Sequence, residues 1–197
     1  MDLNKYDYLA DFSLHFCGSS VFSFISRINE NYINIAEKAN RIQLNFNYSN
    51  LSKTKKELLK DYFLYSEIKI PHIIQINEGN LEFLNFLKEN IKISKRKNIN
   101  FLMDSSGGNG IEITNFKIPE TFDINNYKKK YIKKNIYLFG FSGGLSLENI
   151  KEKAEKIKVQ NKDEFWFKND FWIDFETNIR TNNKFDLDKI QKILNLF

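Results

Sequence analysis

A chain of 197 residues, 42% hydrophobic and 28% charged, is long enough for one sizeable core and too apolar for a disordered segment. Its net charge of +5 is spread as Lys among Asn and Ile, and its aromatic residues lie inside apolar runs, so the basic clusters at 53–60, 92–97 and 128–134 read as solvated surface rather than a nucleic-acid face. No apolar run reaches bilayer length, no secretory signal opens the chain and one cysteine excludes an internal disulfide, so a cytoplasmic location without membrane contact is expected.

Six runs are predicted as strands: 13–17 (SLHFC), 42–47 (IQLNFN), 72–77 (HIIQIN), 99–104 (INFLMD), 136–142 (IYLFGFS) and 171–177 (FWIDFET). Apolar steps of three and four predict helices between most of them: 21–39 as a single crossover, 52–65, 81–91 and 147–157, and 187–196 behind Asp186 as N-cap. Strands alternating with helices give βαβ units, a parallel sheet and one domain over 1–197.

Polar residues recur at every other position near the strand ends: His15 and Cys17, Gln43 and Asn45, Gln75 and Asn77, then Asp104, and Asp174 and Glu176. Period two puts each pair on one face, opposite apolar neighbours that meet helices. In a doubly wound sheet helices cover both faces, and each buried unpaired polar group would cost about 1–3 kcal/mol. In a barrel that face opens onto the C-terminal rim, so the pattern favours a parallel (β/α) barrel, incomplete at about six units. The alternative is a polar layer whose members satisfy one another.

The stretch 99–110, INFLMDSSGGNG, concentrates the chemistry: a buried strand ends on Asp104, and a loop rich in Ser and Gly follows. Asp104 either faces a ligand or caps that loop.

FLMDSSGGNGIEITNF resembles the sixth strand and loop of phosphoribosylanthranilate isomerases, YLFGFSGGLSLENIKE their seventh, and FWIDFETNIRTNNKFDLDKIQKIL their eighth strand and closing helix; IQLNF sits at their fourth strand. The matches keep the family's order over about 41–197. The resemblance implies a TIM-type barrel, no cofactor and no metal, and an Amadori rearrangement of a phosphorylated sugar amine in tryptophan biosynthesis. It makes Asp104 the general acid, and a first-strand Cys the base, which Cys17 would supply if Cys17-Gly18 is that motif. Backbone amides at Gly143, Gly144, Thr177 and Asn178 would hold the phosphate, with Arg180 as an added anion partner. His15, Gln43, Asn45, Gln75, Gly107, Gly108, Asp174 and Glu176 would face the ligand.

Three departures qualify it. Two N-terminal strands are lacking: either 13–17 is the third strand and Cys17 an ordinary buried thiol, which suits a single crossover over 19–40, or two units are deleted between Gly18 and Arg41. Glu176-Thr177-Asn178 replaces Ser-Ser-Gly, putting a carboxylate beside the phosphate, which Arg180 could offset. Asn45 stands near the family's histidine. Two rivals remain: an inactive barrel remnant that binds a small anionic ligand or a protein, and a divalent metal held by His15, Asp104, Asp174 and Glu176. An open barrel exposes two edge strands, so either a homo-oligomer or a truncated gene product of low stability alone is expected.

Overall fold

The computed structural model describes residues 13–27, 30–90, 99–104, 139–161, 171–175, 178–182 and 184–196. Six strands form one all-parallel sheet in chain order: β1 (Ser13–Cys17), β2 (Arg41–Asn45), β3 (His72–Ile76), β4 (Ile99–Met103), β5 (Phe139–Phe141) and β6 (Trp172–Ile173). The helices are α1 (Ser19–Ile25), α2 (Glu30–Ala36), α3 (Lys53–Tyr65), α4 (Leu81–Asn90), α5 (Ile150–Asn161) and α6 (Leu187–Leu194).

Each strand turns alternate residues to opposite faces. Phe16, Ile42, Leu44, Ile74, Ile76, Phe101, Met103, Phe139 and Phe141 join one core with Val21, Phe24, Leu59, Phe63, Phe83 and Leu87 from the helices. Burying each such side chain is worth about 1.5–3 kcal/mol, so this face fixes the register. Aromatic rings interlock across it: Phe16 stacks on Phe24 with centroids 4.5 Å apart, and Phe63 meets Phe83 edge-on at 5.2 Å. His72 is the polar exception on this face. It is fully buried, with Nε2 2.8 Å from the Tyr62 hydroxyl and Nδ1 2.7 Å from the Ile70 carbonyl.

The sheet is curled into a half-barrel. Arg41 starts β2 and Trp172 starts β6, four strand steps apart, which in a flat sheet is about 19 Å. Nevertheless the Arg41 guanidinium sits 5.6 Å from the Trp172 ring centroid. The indole lies against Gly140 of β5, where any Cβ would overlap the ring. Glycine in this strand interior therefore serves a close approach.

The strands fall where the hydrophobic pattern predicts, with the ends within two residues among the described residues; residues 136–138 and 176–177 of the last two lie outside them. The predicted single helix over 21–39 is corrected to two, α1 and α2. The chain breaks after Ser26 at Arg27, whose φ is 56°. The break lets the second helix fold back, so that Ala36 is buried and the Tyr32 ring meets Phe16 edge-on at 5.3 Å. A two-stranded antiparallel hairpin, β7 (Arg180–Thr181) and β8 (Lys184–Phe185), with Asn182 at φ 52°, was not anticipated by the strand pattern.

The predicted N-cap Asp186 is present, accepting from Lys189 N–H at 3.1 Å; Ser52, accepting from Lys55 N–H at 3.4 Å, caps α3 in the same way. The Thr181 hydroxyl, 2.7 Å from Asp186, together with that amide holds the Asp186 carboxyl below its ordinary 3.8. A carboxyl depressed in the folded state contributes stability above its unfolded value and loses it as pH falls through the folded one. Asp186→Asn is therefore expected to lower the melting temperature at pH 7 and to have a smaller effect below pH 3.8. Parallel thermal melts at the two pH values check this.

Candidate functional site

The concave face carries the polar residues that the period-two pattern places there. Asp104 follows the last residue of β4, 5% exposed, and its Oδ2 accepts from Gln75 Nε2–H at 2.9 Å. Gln75, on the adjacent β3, is 8% exposed. Behind it stands Asn80, fully buried, whose Nδ2–H donates to the Gln75 carbonyl at 3.1 Å and whose Oδ1 accepts from Tyr48 N–H at 2.9 Å. Asn77 continues the alternation beyond Gln75; its backbone carbonyl accepts from Asn80 N–H at 3.0 Å, and its side-chain Oδ1 is shielded from water without a donor.

A second group lies on the neighbouring β2 and on β1. Gln43 is buried and donates from Nε2 to Asn45 Oδ1 at 2.9 Å, and Asn45 Nδ2 lies 3.6 Å from Cys17 Sγ. His15 is exposed on β1 opposite Gln43 in register. Cys17 is also exposed, which corrects the expectation of a buried thiol: among the described residues β1 is an edge strand of the sheet, and its concave-face residues meet solvent. The alternative of a mutually satisfied polar layer therefore holds in part, for Gln43 with Asn45 and for Gln75 with Asp104.

The loop after β5 begins with Ser142, whose N–H donates to the Met103 carbonyl at 3.0 Å, and turns through Gly143 at φ 103° and Gly144 at φ 63°. Those left-handed values favour glycine at both positions. Asn149 fastens the turn, donating from Nδ2 to the Gly144 carbonyl at 2.8 Å and accepting from Ser146 N–H at 2.8 Å. Asn178, from the loop after β6, donates from its side chain to the Leu145 carbonyl at 2.9 Å. The two loops assigned to an anion are thus tied together, and Asp174 joins them through its N–H to the Phe141 carbonyl at 2.9 Å.

Charge around this rim is mixed. Glu148 is exposed, and the Ser146 hydroxyl, then its own backbone N–H, and more weakly Lys189 hold its carboxyl below the usual range. Lys189 Nζ donates to the Arg180 carbonyl at 3.1 Å, and Arg180 is exposed on β7.

Gly107, Gly108, Glu176 and Thr177 lie outside the described residues. Among the described residues no three of His, Cys, Asp and Glu come together as a metal-holding group, so His15, Asp104 and Asp174 do not assemble the suggested metal site. Sequence reasoning missed Asn80 and Asn149 as organisers of the rim. An Asn shortly after a strand end is their shared signal, because its short amide bonds backbone in tight loops.

No model of a known protein family, no characterised protein and no solved structure matches the chain.

Proposed function

We propose that this chain is a phosphoribosylanthranilate isomerase-like barrel that binds a phosphorylated sugar amine at the C-terminal rim and carries out its aldose–ketose rearrangement in the cytoplasm. The observation that carries the reading is Asp104: a buried carboxyl at the end of a central parallel strand, on the concave face, oriented by a neutral amide and one strand away from a two-glycine turn. The unpaired side-chain Oδ1 of Asn77 adds an acceptor on the same face that a ligand hydroxyl or amine would satisfy.

Support for the eight-stranded type comes from the register. The line through Leu44, Ile74, Phe101 and Phe139 passes one residue before Gly140 and Trp172, so Trp172 is level with Asn45, yet it meets Arg41, four residues earlier. Four residues over four strand steps is about one per strand, the stagger of an eight-stranded barrel of shear 8.

In this reading Asp104 gives its proton to the ring oxygen as the C1–O bond breaks and an iminium forms. A base on the other side, assigned to Cys17, removes the C2 proton, and the enolamine becomes the ketone as C1 takes up a proton and the C2 hydroxyl gives one up. Atoms and electrons balance within the substrate, so no redox cofactor is required. Amides at Gly143, Gly144 and residues 177–178 receive the phosphate, with Arg180 and Lys189 supplying positive charge. The test is growth: the chain should complement a tryptophan auxotroph lacking the isomerase, and failure of a well-expressed, folded chain to do so counts against turnover.

One observation favours a second reading, a remnant that binds a small anionic ligand or a protein without chemistry. Cys17 is exposed on the edge strand, three strand steps from Asp104, or about 14 Å along a flat sheet. Losing base assistance alone removes about 10²–10⁴-fold in rate. The two terminal strands of the sheet also suit pairing with a second copy, for which light scattering is the measurement; a monomer would argue against it.

A further inference from the structure

We infer that Gln75 is a positioning residue for Asp104 and that Asn80 fixes Gln75 in turn, a role that rests on the reading of Asp104 as the acid. Gln75 Nε2–H reaches Asp104 Oδ2 at 2.9 Å with both side chains buried. On its other side the Gln75 backbone carbonyl receives the Asn80 amide, and Asn80 receives Tyr48 N–H. The contacts run from the loop after β2, through β3, to the end of β4. Two neighbouring loops therefore hold the backbone of the residue that donates to Asp104.

The choice of an amide is chemically specific. A Lys or Arg at that place would supply a positive charge that favours the ionised carboxylate, which has no proton to give. An amide supplies a donor without the charge, so it orients a carboxyl in either protonation state. A Gln75 that only filled space would be replaceable by any side chain of its volume.

A double-mutant cycle on turnover of the phosphorylated sugar amine by the full chain tests the role. Gln75→Met keeps the length and removes the donor; it is expected to lower kcat about 10- to 100-fold, with KM within about twofold. In the Asp104→Asn background the same change is expected to alter residual turnover by less than about twofold, because the group it positions is already gone. Equal losses in the two backgrounds, or an unchanged kcat, would overturn the inference. Should Gln75→Met fail to fold, Gln75→Leu removes the same donor with a smaller side chain, and the same non-additivity with Asp104→Asn is required of it. Absence of turnover in the unsubstituted chain is seen before any variant is made; it overturns the isomerase reading, and this role with it.

Discussion

Asp104→Asn is expected to lower turnover of the phosphorylated sugar amine by about 10²–10⁴-fold while leaving the fold and ligand affinity nearly unchanged. The asparagine side chain has the same shape and keeps an acceptor for Gln75 Nε2–H, which is 2.9 Å from Asp104 Oδ2, so the buried pair survives the substitution. What is lost is the transferable proton. Rates measured at saturating substrate, alongside thermal melts, separate the two effects. Retained turnover would remove Asp104 from the acid role, and a large fall in melting temperature would show that its carboxyl is chiefly structural.

The largest stability effect is expected at Asn80. Asn80→Ala leaves Tyr48 N–H, fully buried, without its acceptor and takes a donor from the Gln75 carbonyl. One orphaned buried donor costs about 1–3 kcal/mol, and the lost side-chain volume adds to it, for about 2–4 kcal/mol in all. For a chain of this size that is a fall on the order of 10 °C. Asn80→Asp retains the acceptor for Tyr48 N–H and, kept protonated by burial, donates its O–H to the Gln75 carbonyl, so it is expected to fall less far in differential scanning calorimetry. Equal falls would mean that the Tyr48 contact contributes little.

The fold was legible where apolar residues repeat strictly. SLHFC, HIIQI and INFLM each alternate or run apolar between turn signals, and all three strands lie where the pattern puts them. The break between α1 and α2 was not legible, because a stripe of three- and four-residue steps continues across a turn. Arg27 at φ 56° carries no glycine or proline signal, and the bend is imposed by the packing of Tyr32 and Ala36 onto the core. Cys17 shows the same limit: alternation gives its face, but its exposure depends on β1 being an edge strand, a property of the assembled sheet.

At the site, period two located Gln75 and Asp104 on one face, and their hydrogen bond follows from adjacent strands. Asn80 and Asn149 escaped because their partners are backbone groups of loops, whose paths the hydrophobic pattern does not encode. Gly143 and Gly144 were legible as a turn because only their residue type suits the φ values they adopt.

Binding of a phosphorylated sugar amine at the C-terminal rim, from Asp104 to the Gly143–Gly144 turn, is the proposal on which the rest depends. Isothermal titration of the full chain with a reduced, non-reactive analogue of the rearranged product tests it. Micromolar binding is expected, and Gly144→Val is expected to weaken it by at least about tenfold, because a β-branched residue is strained at φ 63° and closes the turn to the phosphate. No binding by a folded chain, or binding that Gly144→Val leaves unchanged, would contradict it.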